Sequence, residues 1–164
     1  MTKTAQRIIT DGRAEVTFRS GTGPAHQGGH AALDQLYYRD PMKILFPRPM
    51  AGDLTTAVLV TTSGGMVGGD KLAFAGKVEA GASALFTAQA AEKIYRSVGP
   101  DCDMAVDLDV ADGGWLEWLP HETILFDQAR LKRKTTVSAT GTGMVLAGEM
   151  MVFGRLARGE VFTT

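Results

Sequence analysis

The chain has 164 residues, 45% of them apolar and 21% charged, and a net charge of −1. These proportions are those of a soluble globular protein with enough apolar material for one domain core, and they exclude the basic footprint of a nucleic-acid binder. The single cysteine, Cys102, rules out an intramolecular disulfide and suits a reducing compartment.

Met1–Arg7 leads into no long apolar run and no stretch reaches membrane-spanning length, so a cytoplasmic protein with no nucleic-acid or membrane partner is expected. Residues 1–30 read as an N-terminal strand, Ala14–Ser20, followed by a flexible Gly-rich connection over Ser20–His30. His26 and His30 lie in that connection. Gly28 and Gly29 between them argue against a helix that would bring both imidazoles onto one face, so a solvated loop is favoured over a metal-binding pair. Residues 31–164 read as one β-rich domain. Leu36–Arg48 has a strand pattern punctuated by Pro41 and Pro47, which belong at strand starts, bulges or edges. Asp53–Thr62 is a further strand with a buried Val58-Leu59-Val60 centre.

The next run, Gly64-Gly65-Met66-Val67-Gly68-Gly69-Asp70, sets two glycine pairs around two apolar residues and ends on a carboxylate. Gly64, Gly65, Gly68 and Gly69 supply backbone turns or close approach of another chain segment. A phosphate-cradling loop would continue with Gly-Lys-Ser/Thr, but here Gly69 is followed by Asp70, Lys71 and Leu72. The plain interpretation is a pair of tight turns with a solvated Asp70.

From Lys71 onward an alternating strand, a Gly turn and a more apolar strand recur three times: LAFAGKVEA before Gly81, MAVDLDVAD before Gly113-Gly114, and KTTVSAT before Gly141-Thr142-Gly143. The turns recur about every 30 residues, a period at which one supersecondary unit stacks on the next. The fold class expected is all-β: layered antiparallel β-hairpins approaching a β-helix-like stack, with an ordinary β-sandwich as the competing arrangement. One short helix is expected over Thr87–Ser97, capped by Thr87, with Ala90, Ala91 and Ile94 on its apolar side and Glu92 and Arg96 as i, i+4 partners. Such a helix either docks on the sheets or presents Glu92, Tyr95 and Arg96 to a partner. Cys102 lies between Asp101 and Asp103, which disfavour a thiolate nucleophile.

Three segments in this order and spacing, SGGMVGGD (63–70), TAQAAEKIYRS (87–97) and WLEWLPHETILFDQARLKR (115–133), resemble the urease accessory protein family UreD, called UreH in some species. LYYRDPMKILFPRP (36–49) and FGRLARGE (153–160) add to the likeness. The resemblance implies a non-enzymatic maturation factor with a β-rich, helix-poor layered fold. It implies that the factor docks on apo-urease with a helical adaptor (UreF) and a GTPase (UreG), passing nickel to the active site with no tightly bound cofactor. The family commonly runs on for further strands and a helix, so a chain stopping at Thr164 is expected to be either a truncated form or a shortened homologue, with a surface left exposed or used for self-association.

By the same resemblance, Asp70 and Glu149 match acids that line an internal water-filled tunnel. Nickel(II) accepts imidazole, thiolate and carboxylate, and a transport path needs weak successive ligands rather than one tight cage. Glu149 lies within the apolar stretch Met144–Phe153, so its charge is partnered, for which Arg155 is the nearby candidate, outward-facing, or lined by water. Glu117, His121 and Glu122 are weaker candidates, since the adjacent His121 and Glu122 point to opposite faces of a strand. The basic run Arg130–Lys134, with Arg130, Lys132 and Arg133, reads as a solvated strand edge or as a docking patch for an acidic partner. The competing classes are a pure interaction scaffold without metal transit and a β-helical carboxylate-dependent hydrolase or lyase. The chain carries no Ser/His/Asp or Cys/His constellation that would favour the enzyme.

Overall fold

The computed structural model describes residues 10–21, 31–155, 159–160 and 162; His26 and His30 lie outside them. Along the chain run β1 (Asp11–Ser20), β2 (Ala31–Arg39), β3 (Met42–Leu45), β4 (Thr55–Thr61), β5 (Lys71–Val78), β6 (Ser83–Ala88) and β7 (Glu92–Ile94). They are followed by β8 (Cys102–Val110), β9 (Trp115–Trp118), β10 (Thr123–Leu125), β11 (Leu131–Ala139), β12 (Met144–Ala147) and β13 (Met151–Phe153). The described residues contain no helix, so none of them forms a helix long and apolar enough to cross a membrane.

The strands form three sheets, ordered β11-β8-β5-β1-β2, β12-β9-β6-β4-β3 and β13-β10-β7. Each of the triplets β5–β6–β7, β8–β9–β10 and β11–β12–β13 is therefore one circuit of the chain around a three-sided stack. An earlier coil is made by β1, β4 and a parallel bridge from Met66 to Ile94. Stacked parallel strands of this kind are a β-solenoid, in agreement with the β-helix-like, all-β expectation.

The strand direction corrects the hairpin part of that expectation. Among the described strands, β1–β2 and β3–β4 are the pairs that run antiparallel; the pairs that stack one coil on the next are parallel. Gly81, Gly113 and Gly141, with φ of 66°, 66° and 59°, do make turns. Those turns carry the chain from one sheet into the next instead of folding it back on its own strand. A parallel partner must then come from the following circuit, about 30 residues on.

The helix over residues 87–97 is also corrected. β6 ends at Ala88 and β7 pairs in parallel with β10 through Thr123↔Glu92, Ile124↔Lys93 and Leu125↔Ile94. The Met66 N–H donates to the Lys93 carbonyl at 2.7 Å and the Tyr95 N–H to the Met66 carbonyl at 2.8 Å. Those backbone groups are satisfied between coils, and Ile94 is wholly buried, so tertiary pairing overrides the modest helix propensity of the segment. Glu92 and Arg96 are not partners: Glu92 accepts from the Thr61 hydroxyl at 3.0 Å, and Arg96 forms a bridge to Ala129.

Alternation points one set of side chains inward at every level. The columns Ala14, Phe74, Val106 and Val16, Gly76, Leu108 follow directly from the register of β1, β5 and β8. A chain of rings runs through the core, Phe46 edge-on to Phe18, Phe18 stacked on Phe86, Phe86 edge-on to Phe74 and Phe74 stacked on Trp118, with centroids 5.4–6.1 Å apart. Rings at these separations add to their burial. On the outer side, Asp11, Lys71, Asp103 and Lys132 stand at matched positions of four successive strands, so opposite charges alternate up the stack.

The glycine motif closes the first coil. A Cβ on Gly68 would sit 1.9 Å from Ser97 Oγ and 2.0 Å from the Pro100 carbonyl oxygen, and one on Gly65 2.7 Å from the Lys93 carbonyl oxygen. Gly68→Ala is expected to destabilise the protein by about 2–3 kcal/mol, because backbone must move to admit the methyl group. Gly64→Ala, whose Cβ meets nothing within 4 Å, is expected to be far milder. The urea midpoints of the two variants measure the difference.

Candidate functional site: a cavity of mixed lining in the stack

A cavity of about 210 Å³ lies within the coils. Its apolar wall includes Leu59, Leu72, Phe74, Met104 and Trp118, which are inward positions of the first two sheets. Its polar wall includes Thr61, Ser63, Glu92, His121, Thr123 and Arg133. The bend between β6 and β7 and the short connection between β9 and β10 place Glu92 and His121 on it.

Burial pushes the Glu92 carboxyl above its ordinary range, and the hydrogen bond from Thr61 opposes this only in part. His121 is half exposed, with Nδ1 3.9 Å from Glu122. Glu122 holds the coil below through its backbone, where its carbonyl accepts from the Glu92 N–H at 3.0 Å. Two polar atoms on the wall, Ser63 Oγ and Arg133 Nε, are buried without a hydrogen-bond partner.

The solvated edge expected for Arg130, Lys132 and Arg133 holds for only two of them. Arg130 and Lys132 project outward and both hold Asp101, at 2.7 and 2.9 Å. Arg133 follows Gly12, Leu72 and Met104 in an inward column, and its side chain is only 10% exposed. Its guanidinium donates to Thr123 Oγ1 and to Glu149 Oε1, each at 2.9 Å. The same Glu149 oxygen also accepts from Trp118 Nε1 at 2.9 Å and Thr135 Oγ1 at 3.0 Å. Glu149 is thus partnered, but by Arg133; Arg155 instead pairs with Glu160 at 2.7 Å and lies over the Phe126 ring.

The sequence profile of the UreD urease accessory protein matches residues 11–164. The urease accessory protein UreD of Magnetococcus marinus is 48% identical over 132 residues, which are 80% of this chain and 46% of that protein. That of Rhodopseudomonas palustris is 40% identical over 159 residues, 95% of this chain and 53% of that protein. The chain belongs to the UreD family. It spans about half the length of the curated relatives it matches.

In this UreD chain the remaining candidate residues are spread around the stack. Asp70 is 3% exposed, not solvated, and accepts from the Thr10 N–H at 3.0 Å and the Val67 N–H at 2.9 Å. It ties the glycine turns to β1 and β5. Glu117 accepts from Trp115 Nε1 at 2.9 Å on the face of β9 opposite buried Leu116 and Trp118. Tyr95 donates to the Gly64 carbonyl at 3.0 Å and packs edge-on against Phe126. Among the described residues, no three His, Cys, Asp or Glu side chains converge as a metal-holding group. The cavity wall instead carries one carboxyl, one imidazole and hydroxyls, with the Lys93 and Arg133 cations beside them.

Asp70→Ala leaves two backbone N–H groups without their acceptor and is expected to cost about 2–3 kcal/mol of stability, read from denaturant unfolding. Glu92 gives a pH-dependent outcome. Its folded-state pKa is raised, so the folded protein holds the proton more tightly and stability falls as pH rises from the unfolded value through the folded one. Glu92→Gln is therefore expected to raise the thermal midpoint more at pH 7 than at pH 4. An equal shift at both pH values would show that the carboxyl is not strained by burial.

Proposed function

We propose that the chain is the cavity-bearing portion of a urease maturation factor that passes nickel(II) toward apo-urease, acting with the UreF adaptor and the UreG GTPase. The observation that carries the proposal is the cavity in the stack, whose wall brings together the Glu92 carboxyl, the His121 imidazole and the Thr61, Ser63 and Thr123 hydroxyls, with the Lys93 and Arg133 cations beside them. Family membership supplies the urease context.

Nickel(II) is the cargo. It accepts nitrogen and oxygen donors, and dispersed donors let it move where a closed cage would trap it. Glu92 and the half-exposed His121 meet the ion at the cavity wall, and the Thr61 hydroxyl holds the Glu92 carboxyl there. Because burial raises the Glu92 pKa, the cation competes with a proton for this carboxyl, and loading weakens as pH falls. Glu149 receives the ion beyond Arg133, at the last coil. Asp70 acts through the wall, holding the turn that carries Ser63, Gly64 and Gly65 along the cavity.

The test is nickel content of urease matured in the presence of this chain within the full-length protein, its adaptor and its GTPase. Glu92→Gln and Glu149→Gln are expected to lower nickel loading by about tenfold or more while complex formation persists. Unchanged loading in both variants, with the complexes intact, would return the function to a scaffold without metal transit.

A further inference from the structure

The outer face of the first sheet carries charges in an order that is its own complement. Across β1, β5, β8 and β11 stand Asp11, Lys71, Asp103 and Lys132 at one level of the strands. At a second level stand Thr17, Lys77, Asp109 and Ser138. A half-turn about an axis along the strands, midway between β5 and β8, keeps each level and reverses the strand order. A second copy so placed sets its Lys132 on Asp11 and its Asp103 on Lys71. At the other level it sets its Asp109 on Lys77 and its Ser138 on Thr17. A half-turn about the stack axis would instead set Lys71 on Lys77 and Asp103 on Asp109, so like charges reject that arrangement.

The centre of this face is unengaged. Asp11 is held by Arg39 at 2.8 Å, Lys132 by Asp101 at 2.9 Å and Lys77 by Glu79 at 2.9 Å. Lys71 and Asp103 enter no ion pair among the described residues. Between the two levels the central strands turn out Ala73, Ala75, Ala105 and Asp107, so no long side chain holds two faces apart there. One contact opposes the fit, Arg13 against Lys134 of the second copy, and Glu15 offsets it by holding Arg13.

We propose that two copies of this chain associate through this face as a two-fold dimer, Lys71 of each copy pairing with Asp103 of the other. A two-fold contact requires a self-complementary surface, and this ladder supplies one, since every pair it makes is made twice. At a strand spacing of about 4.8 Å and a rise of about 3.3 Å per residue, the face measures roughly 500 Å² on each copy. A contact of that size, carried by ion pairs and not by apolar burial, is weak, reversible and sensitive to salt. The cavity lies on the inner side of the same strands, behind Leu72, Phe74 and Met104, so the dimer forms whether or not the cavity carries nickel.

Sedimentation equilibrium of the purified chain tests this at low ionic strength and at about 1 M salt, for wild type, Lys71→Glu, Asp103→Lys and an equimolar mixture of the two variants. Wild type is expected to dimerise at low ionic strength and to weaken at least about tenfold at high salt. Each variant alone brings like charges together twice per dimer and is expected to associate at least about tenfold more weakly. In the mixture the new acid of one copy meets the new base of the other, and the native Lys71 and Asp103 pair as before, so association returns. If either reversal fails to fold, Lys77→Glu with Asp109→Lys makes the same test at the second level. A wild-type chain that stays monomeric at low ionic strength overturns the proposal. So does a mixture of folded variants that does not recover. Association indifferent to salt and to the variants overturns it as well, because that is the mark of apolar pairing along the exposed β11, β12 and β13 edges.

Discussion

The parallel register between coils is the constraint on which everything else depends. Once Asp11 pairs with Lys71, and Lys71 with Asp103, every later position along those strands has a fixed counterpart above and below. A slip of one residue would turn the Phe74 and Val106 column out to solvent and the charged column in. The ring chain from Phe46 to Trp118 enforces the register from inside, and the alternating charges favour it from outside.

The two ends of the stack are unlike. At one, β2 and β3 cap their sheets with antiparallel strands. At the other, β11, β12 and β13 each form an edge, and Val137, Met144, Leu146 and Phe153 are exposed there. Lys132 and Lys134 stand on that edge, and charged side chains of this kind discourage uncontrolled pairing. Asp101 draws Lys132 and Arg130 together and its carboxyl is held below the usual range by them, Arg130 foremost.

Much of the stack is legible in the sequence. The recurrence of glycine turns about every 30 residues points to the layering, and alternation marks the strands. Strand direction is not legible, because a turn glycine with positive φ serves a hairpin and a solenoid corner equally well. The apparent helix at 87–97 fails for a related reason: its partners, Met66 and β10, are distant in sequence, and local propensity contains nothing of them. The site is less legible. Asp70 and Glu149 stand out as acids, but whether such an acid is free depends on donors such as the Thr10 N–H and Arg133. The inward placement of Arg133 has a signal that strand-by-strand reading misses: with the three repeats set in register, Arg133 falls in line with Leu72 and Met104, an apolar column.

The tie between Asp70 and Thr10 spans 60 positions, and β1 joins β5 across the same interval. A contact of that separation must close a long loop before any pairing energy is returned, and the parallel pairs that follow are themselves non-local. The later coils, each added to the one beside it, close shorter loops. Assembly order is thus written into the topology: the circuits from β5 onward can zip up as neighbours, whereas seating the β1–β2 pair on β5 closes the longer loop. During synthesis β1 can pair with β2 along one edge, but its other edge has no partner until β5 is out, which leaves the Val16 and Phe18 face uncovered until then.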